Sequence, residues 1–406
     1  MFSCTFPKIT PQVLAVKLTA KGERSVKNEH PWIFSESVEK INKKGTTGDI
    51  AVIFSHKKNK AIGVGLYDPA SPIVIKMIHH GGGVKLDEEF FNNKIQRAYA
   101  LRVALLETET NSYRLLFGEN DGFPGLIADV YAHVLVVKLY SAIWLPFLET
   151  LFKLLLQVSN TETGVVRLSR TLQQKASFPL KEGTVFYGTL KDETIVFKEH
   201  GVYFSANVIK GHKTGYFLDH RDNRRRAGAL SKGKTVLDVF SYAGGFSVHA
   251  LANGAREVTS LDISEQALEL AKANGALNTC AGTHVTLAGD AFKMLQHLIQ
   301  EQKRYDVVII DPPSFAKQQK EITVAKKKYA QLAQLGEKVT ARGGLLVLAS
   351  CSSRISATDF FKINTEALQQ QPRRFSVELK TGHDADHPVT FPEGRYLKCG
   401  YYRFHE

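Results

Sequence analysis

The sequence predicts an α/β protein whose C-terminal half forms a doubly wound parallel sheet. From about residue 200 onward, short apolar runs typical of strands alternate with longer segments of helical periodicity, an order that produces parallel sheets. Two runs, Val307–Ile310 and Leu345–Ala349, are continuously apolar, as expected of strands buried on both faces. A reactive group follows each of them, first Asp311 and then Cys351. Because ligands bind at the carboxyl ends of such strands, we expect the functional site there.

Two smaller domains are predicted ahead of this sheet. Residues from about 12 to 80 read as a small β-rich domain with strands over Val13–Leu18, Asp49–Phe54, Ala61–Tyr67 and Pro72–Ile78. The glycines 81–83 that follow are suited to a hinge. Residues 86 to 195 predict an α+β domain with helices over Asp87–Leu106 and Trp144–Val158 and strands over Ile127–Tyr131 and Val134–Leu139. The predicted domains are 1–82, 83–197 and 198–406.

The composition indicates a soluble globular protein with an excess of positive charge. Among 406 residues, 53 Lys and Arg stand against 40 Asp and Glu, so the net charge is +13. This excess favours a polyanionic partner such as nucleic acid, although a solvated basic surface would also produce it. The four cysteines are far apart and form no Cys-x-x-Cys pair, so we expect no metal site, no disulfide and a cytoplasmic location. Glu149 and Lys153 interrupt the most apolar helix, so no membrane contact is expected.

Three aspartates at predicted strand ends point to a nucleoside-containing cofactor. Asp238 ends one strand and is followed by a tight turn at Gly244 and Gly245, where the backbone can approach a ligand closely. Asp262 lies 24 positions further on, near the spacing at which an acid binds ribose hydroxyls. Asp290 is able to accept a hydrogen bond from an adenine amine. A lone aspartate of this kind more often caps the next helix, but three on successive strands favour the cofactor.

The order of these motifs resembles that of class I S-adenosylmethionine-dependent methyltransferases. The segment Lys210–Arg224 and the triplet Ser350–Ser352 narrow the resemblance to the RlmI-like family of 23S rRNA cytosine-C5 methyltransferases. Glu29–Phe34 is similar to the N-terminal PUA domain of that family, and Tyr113–Ile127 is similar to its central domain. The resemblance implies a Rossmann-like methyltransferase sheet, preceded by a small β-rich PUA-like domain and a central α+β domain.

The resemblance implies methyl transfer from S-adenosyl-L-methionine to C5 of a cytosine in large-subunit ribosomal RNA. C5 is a weak nucleophile, so a thiolate must first add to C6, and Cys351 is the cysteine placed for this step. Asp311 would hold the N3/N4 edge of the ring. An isolated cysteine is more often a small buried residue, but the setting Ser350–Ser352 favours catalysis. Ser314 stands where many RNA cytosine-C5 methyltransferases have a second cysteine, which leaves product release without an assigned residue.

The resemblance also assigns binding residues. Those expected to contact the cofactor are Phe217, Asp219, Arg221, Asp238, Phe240, Tyr242, Gly244, Gly245, Asp262, Ile263, Asp290, Ala291, Asp311 and Pro312. Residues Arg224–Arg226 are expected to bind RNA phosphate. For Arg225 and Arg226, a solvated helix face is the alternative. Lys317, Lys320 and Lys326–Lys328 either line the path of the RNA or form an exposed helix face. The PUA-like domain would bind structured RNA, and a homodimer is implied as well.

Two other functions compete with this one. A related fold with a similar Tyr216–Arg221 segment methylates base nitrogens such as guanine N7, a reaction that has no use for Cys351. A non-catalytic RNA-binding assembly factor is a second alternative, because a fold does not by itself imply a function. The PUA-like domain, for its part, could serve only to stabilise or dimerise the enzyme.

Overall fold

The computed structural model describes residues 2–405, which form two compact units. The first unit contains the residues up to Phe197 together with 205–218 and 385–391. The second unit contains 198–204, 219–384 and the residues from Pro392 onward. The division into 1–82, 83–197 and 198–406 is finer than this and stays a prediction.

The first unit begins with a small mixed sheet of six strands. The strands and their helix are β1 (Val13–Leu18), α1 (Ala20–Lys27), β2 (Trp32–Phe34), β3 (Val38–Ile41), β4 (Ile50–Phe54), β5 (Ala61–Tyr67) and β6 (Ile73–His80). Their spatial order is β2-β6-β5-β4-β1-β3. All four predicted strands are present. β4 begins one residue late because the carboxylate of Asp49 accepts backbone hydrogen bonds from Gln12 and Thr46 and so closes the preceding turn.

A second sheet in the first unit is built from five strands and four helices. They are α2 (Glu88–Ala100), α3 (Val103–Leu106), β7 (Ser112–Phe117), β8 (Leu126–Tyr131), β9 (Val134–Leu139), α4 (Leu148–Ser159), β10 (Thr163–Leu168), α5 (Arg170–Gln173) and β11 (Val185–Tyr187). The strand order is β11-β10-β9-β8-β7. Both predicted strands of this region are confirmed by β8 and β9.

Both predicted helices of this region differ from the observed ones. The helix expected over Asp87–Leu106 is divided, because the buried guanidinium of Arg102 bonds Ala98 O and the carboxylate of Asp121 where α2 ends. The helix expected from Trp144 starts as a 3-10 helix containing Pro146 and becomes α-helical only at Leu148. Among the described residues, Ala142–Ser159 is long and apolar enough to cross a membrane, but half of it is buried, as in a core helix.

The second unit contains a seven-stranded sheet with helices on both sides. A two-stranded ribbon, β12 (Thr194–Glu199) and β13 (Val202–Asn207), contributes its residues 198–204 to this unit. The elements that follow are α6 (Arg221–Ala229), β14 (Thr235–Val239), α7 (Gly245–Ala252), β15 (Glu257–Asp262), α8 (Glu265–Ala276), β16 (Thr283–Ala288), α9 (Ala291–Gln300), β17 (Tyr305–Ile310), α10 (Ile322–Val339), β18 (Thr340–Ser350), α11 (Ala357–Gln369), β19 (Phe375–Thr381) and β20 (Lys398–Phe404). The strand order is β16-β15-β14-β17-β18-β20-β19, and β20 runs antiparallel to both β18 and β19. The doubly wound α/β prediction is confirmed.

The strand order also fixes where a ligand can enter. The chain runs outward from β14 to β15 and β16, then crosses back to place β17 on the other side of β14. The crevice outside the carboxyl ends of β14 and β17 is therefore the switch point at which doubly wound sheets bind their ligands.

Candidate active site

The carboxyl ends of five neighbouring strands carry the predicted reactive groups. Asp238 is the penultimate residue of β14, Asp262 is the last residue of β15, and Asp290 follows β16 by two positions. Asp311 follows β17, and Cys351 follows β18. Because these strands run parallel, all five residues lie at the same edge of the sheet.

Cys351 and Asp311 lie on adjacent strands at this edge. In the parallel pairing of β17 and β18, Ile310 lies opposite Leu348, so Cys351 is two positions beyond the residue level with Asp311. At about 3.3 Å per residue and about 4.8 Å between strands, the Cα atoms of Cys351 and Asp311 are roughly 8 Å apart. Both side chains are partly exposed. The thiol and the carboxylate therefore lie on neighbouring strands at the same edge of the sheet.

A buried lysine supports the turn that carries Cys351. Lys398 is 1% exposed, lies opposite Ser350 in the β18–β20 pairing, and donates to the backbone oxygens of Ser352 (2.5 Å), Ile355 (2.8 Å) and Tyr396 (2.8 Å). Burial lowers the pKa of Lys398 to about 8, while nearby Cys351 acts in the opposite direction. A positive charge close to a thiol favours the thiolate, which is the nucleophilic form of cysteine.

Tyr329 lies close to both predicted catalytic residues. Its hydroxyl shares a 2.8 Å hydrogen bond with the hydroxyl of Ser350, the last residue of β18. Burial raises the pKa of Tyr329 to about 12, and the charges of Cys351 and Asp311 act in the same direction. Tyr329 therefore stays a neutral hydroxyl at neutral pH and orients the residue directly before Cys351.

The loop between β14 and α7 has the backbone expected of a ligand-binding turn. Phe240, Tyr242 and Gly244 all have positive φ angles, of 65°, 48° and 75°. Two of them are not glycine, and such conformations persist where surrounding structure enforces them, often at binding sites. At Gly244 a Cβ atom would come within 2.8 Å of the Cβ of Ala271 in α8, so only glycine allows this packing.

Asp238 and Asp262 accept hydrogen bonds from this loop and from the first turn of α7 that follows it. The Asp238 carboxylate is 1% exposed and accepts hydrogen bonds from the backbone nitrogen (3.0 Å) and hydroxyl (2.7 Å) of Ser247. Burial raises the pKa of Asp238 to about 7. The Asp262 carboxylate accepts from the backbone nitrogens of Tyr242 and Ser264, both at 2.9 Å, and is partly exposed. Asp262 thus keeps acceptor capacity for the hydroxyls of a bound ribose.

The remaining cofactor candidates of the second unit fit a nucleoside. Ile263 is 74% exposed directly after Asp262, and an exposed aliphatic side chain of this kind suits the flat face of an adenine. Asp290 is exposed and caps α9 through a hydrogen bond from Lys293 N (3.1 Å). Ala291 and Pro312 are buried, and Gly245 begins α7. Asp290 is therefore a helix-capping aspartate, which was the alternative considered from the sequence. This role does not exclude a ligand on the same carboxylate.

The three cofactor candidates between residues 217 and 221 differ in exposure and in their partners. Phe217 is 38% exposed and belongs to the first unit. Asp219 accepts a 2.9 Å hydrogen bond from the hydroxyl of Tyr396. Arg221 is fully buried and forms a 2.8 Å ion pair with Asp384. The assignment of Phe217, Asp219 and Arg221 to the cofactor stays a prediction.

The expectation that Arg224 meets RNA phosphate is wrong. Its guanidinium is 3% exposed and donates two hydrogen bonds, of 2.7 and 2.6 Å, to the carboxylate of Glu199. His249 completes the cluster with a 2.8 Å contact to the same carboxylate. Burial raises the pKa of Glu199, but Arg224 and His249 outweigh it and hold the pKa well below its ordinary value. Arg224 is therefore a structural cation.

The other basic candidates are exposed but have local partners. Arg225 and Arg226 both pair with Asp222 on the same helix, at 2.7 and 2.5 Å. Lys326 on α10 pairs with Asp359 on α11 at 2.8 Å, and Lys328 lies over the ring of Phe315. Lys317 and Lys320 are exposed. A solvated helix face and a path for RNA both fit these positions.

Four residues near the site were not singled out from the sequence: Glu199, His220, Tyr329 and Lys398. His220 is 5% exposed, and its Nε2 lies 3.4 Å from Asp311 Oδ1. His220 stands inside the segment resembling the family, so a search for buried polar residues next to known motifs would have found it. The other three lie in segments with no distinguishing pattern.

Comparison with known families agrees with this geometry. The family model described as S-adenosylmethionine-dependent methyltransferase matches residues 113–393, and a PUA-like domain model matches residues 16–80. A protein of Deinococcus radiodurans named ribosomal RNA large subunit methyltransferase is 40% identical over 95% of this chain and 96% of its own length. One of Shewanella amazonensis, named ribosomal RNA large subunit methyltransferase I, is 34% identical over 95% and 98%.

Solved structures show the same fold over almost the whole chain. A protein described as a SAM-dependent methyltransferase from Streptococcus mutans has a TM-score of 0.79 at 21% identity and covers 96% of this chain and 99% of its own. A methyltransferase structure determined with S-adenosylhomocysteine has a TM-score of 0.80 at 22% identity, covering 97% and 100%. The fold, the acidic strand ends and the family match together place this chain in the S-adenosylmethionine-dependent methyltransferase family, with S-adenosyl-L-methionine as its cofactor and a PUA-like domain near its N-terminus.

Proposed function

We propose that this protein transfers a methyl group from S-adenosyl-L-methionine to C5 of a cytosine in large-subunit (23S) ribosomal RNA, through a covalent bond between Cys351 and C6. The observation that carries the proposal is the partly exposed thiol of Cys351, one strand away from the carboxylate of Asp311. A methyltransferase that acts on a base nitrogen would not need a thiol at this place, because nitrogen lone pairs attack a methyl donor directly.

The substrate class rests on the relatives and on charge. The full-length relatives are named for methylation of the large ribosomal RNA, and the net charge of +13 favours a polyanion. In the proposed arrangement, residues 1–82 bind structured RNA, residues 83–197 form a central domain, and residues 198–406 carry the chemistry. A cytoplasmic location and a homodimer belong to the same proposal. Because a stacked base cannot reach a recessed thiol, the target cytosine must leave its stack.

The chemistry follows from the two residues at the strand ends. The Cys351 thiolate donates an electron pair to C6, the C5–C6 pair shifts toward C4 and N3, and N3 takes up a proton relayed by Asp311, which it returns when the thiolate leaves, so that no negative charge is left facing the carboxylate. C5 then carries enough electron density to take the methyl group that S-adenosylmethionine supplies as an electrophile. Loss of the C5 proton to a base re-forms the C5–C6 double bond, and the thiolate leaves with its electron pair. The net products are 5-methylcytosine, S-adenosylhomocysteine and one proton.

The protein surroundings favour each of these roles. Lys398 supplies positive charge beneath the Cys351 turn and therefore stabilises the thiolate. Tyr329 fixes Ser350, the residue before the nucleophile. Asp262 and Ile263 would hold the ribose and adenine of the cofactor, while the loop around Gly244 lets its methionine part approach the backbone.

The decisive experiment compares two cysteine variants with the wild type. Cys351→Ala removes the proposed nucleophile, and Cys280→Ala removes another partly exposed thiol, which precedes β16 and so lies at the amino ends of the parallel strands. Each protein is incubated with S-adenosylmethionine and ribosomal RNA from cells lacking the gene, and methylated nucleosides are identified by mass spectrometry. We expect 5-methylcytosine from wild type and Cys280→Ala, and a loss of at least about 10³-fold for Cys351→Ala.

A second measurement tests the covalent step directly. RNA carrying 5-fluorocytidine lacks the C5 proton, so the thiolate cannot leave after methyl transfer and a stable protein–RNA complex should accumulate. Full activity of Cys351→Ala with a methylated nitrogen as product would instead indicate a base N-methyltransferase. Absence of any methylated product from the wild type on free RNA and on ribosomal particles would favour an RNA-binding assembly factor.

A further inference from the structure

We propose that His220 is a positioning residue for Asp311, held in one tautomer by Asn223, and that this buried set of polar contacts sets the direction in which the Asp311 carboxylate faces the base. The inference rests on the proposed function, because it assigns Asp311 to the substrate ring. It adds His220 as a residue that orients the Asp311 carboxylate and does not itself contact the substrate.

The contacts of His220 define its protonation. The residue precedes α6 and is 5% exposed, with Nε2 lying 3.4 Å from Asp311 Oδ1. On the other side of the ring, Nδ1 lies 3.2 Å from Nδ2 of Asn223. Because an amide nitrogen only donates, Nδ1 must accept, and the ring proton is therefore on Nε2, the ring nitrogen nearest Asp311, which makes no hydrogen bond to any described residue in this substrate-free structure.

The orientation of Asn223 is fixed by its other end. Its Oδ1 accepts hydrogen bonds from the hydroxyls of Thr381 (2.5 Å) and Tyr401 (3.1 Å). Thr381 is the last residue of β19 and Tyr401 lies in β20, so the two outermost strands on that side of the sheet orient the amide. Asn223 is 2% exposed, which keeps competing water away from these contacts.

The His220–Asp311 contact is suited to positioning. A distance of 3.4 Å is longer than an ideal hydrogen bond, and contacts of this kind in ligand-free enzymes commonly shorten when substrate binds. Burial lowers the pKa of His220, but the Asp311 carboxylate outweighs it, so that the pKa lies above its ordinary value. With Oδ1 facing His220, Oδ2 is the oxygen left for the N3/N4 edge of cytosine.

This arrangement should affect the rate of the chemical step more than binding. A carboxylate free to rotate presents the wrong oxygen for part of the time and must reorganise while charge develops on the ring. Loss of an outer partner that orients a reactive group typically costs about 10- to 100-fold in activity. The cofactor contacts at Asp262 and Ile263 lie on another strand and should not change.

Two variants that differ by one methylene group test the inference. In His220→Asn the side-chain amide nitrogen occupies the position of Nδ1 and cannot reach Asp311, whereas in His220→Gln it occupies the position of Nε2 and can donate to Asp311. We expect His220→Asn to lower kcat by about 10- to 100-fold, and His220→Gln to stay within about fivefold of wild type. For both, the Kd of S-adenosylmethionine by calorimetry and the Tm should stay close to wild type. His297→Leu, which removes an exposed imidazole, is the matched control.

The outcomes separate this inference from the proposed function. Equal activity of the Asn and Gln variants, or a loss explained entirely by weaker cofactor binding, would overturn the role of His220. The methylated product is identified in the same experiment. A wild-type product other than 5-methylcytosine would overturn the proposed function. The difference in kcat between His220→Asn and His220→Gln, measured on that product, would still decide whether His220 acts through Asp311.

Discussion

The replacement of Asp238 by asparagine should stabilise the protein at alkaline pH. The Asp238 carboxyl is fully buried at the end of β14, and both of its hydrogen bonds come from Ser247. Burial raises its pKa to about 7 against the lowering effect of those bonds, and the charges of Asp311 and Asp262 raise it further. Asp238 is therefore a carboxyl group that the folded protein prefers to keep protonated.

The sign and size of the effect follow from the two pKa values. The folded pKa of about 7 exceeds the ordinary value of 3.8 for an exposed aspartate, so between these values the folded state holds a proton that the unfolded state has lost. The contribution to stability is complete below about pH 4 and is lost as the pH rises through 7. At about 1.4 kcal/mol for each pH unit between the two values, the loss is roughly 4 kcal/mol as an upper estimate.

The assay is urea unfolding of wild type and Asp238→Asn at pH 5, 6, 7 and 8. An asparagine oxygen can accept both Ser247 bonds without ionising, so the variant should gain stability relative to the wild type from pH 5 to pH 7, by up to about 3 kcal/mol at about 1.4 kcal/mol per pH unit, and the gain should level off toward pH 8. Asp290→Asn is the control, because Asp290 is exposed and asparagine caps helices equally well. A stability difference between Asp238→Asn and wild type that is the same at pH 5 and pH 8 would refute the reasoning.

Three further predictions concern the surroundings of the site. Glu199→Gln should lower the free energy of unfolding by about 3–5 kcal/mol, because it leaves the buried guanidinium of Arg224 without its counter-charge; urea unfolding measures this, and a change below about 1 kcal/mol would contradict it. Lys398→Met should slow iodoacetamide alkylation of Cys351 at pH 7 several-fold, because the nearby cation that favours the thiolate is lost; an unchanged rate in a peptide-mass assay would count against this. Ile263→Ser should weaken S-adenosylmethionine binding roughly tenfold by calorimetry while kcat is retained, since an exposed apolar surface for adenine is removed; equal affinity would exclude Ile263 from the site.

The parallel sheet was predictable because each of its strands has a recognisable pattern of residues within its own short segment. Buried strands require continuous apolar runs, and Val307–Ile310 and Leu345–Ala349 both lie inside observed strands. Asp262 ends its strand and Asp311 follows its own directly, as predicted, since a charged side chain is poorly tolerated within a doubly covered strand. Chain order alone therefore brought Cys351 and Asp311 to one edge of the sheet.

Helix boundaries were less predictable because they depend on distant partners. The helix predicted over Asp87–Leu106 has a helical sequence throughout, yet it is divided where Arg102 bonds Asp121, nineteen positions away. Similarly, Arg224 appears in a run of three arginines that suggests a basic surface, and its burial against Glu199 depends on how the ribbon β12–β13 meets α6.

What the sequence by itself determined was the α/β class, the strands of the catalytic sheet and the acidic and thiol groups at their ends, because these follow from apolar runs and from the shared polarity of parallel strands. Only the tertiary structure decided which polar groups support them. His220 lies 91 positions before Asp311, and Lys398 lies 47 positions after Cys351. Their partners become neighbours through the order of strands, with antiparallel β20 inserted between β18 and β19, and no local pattern of residues encodes that order.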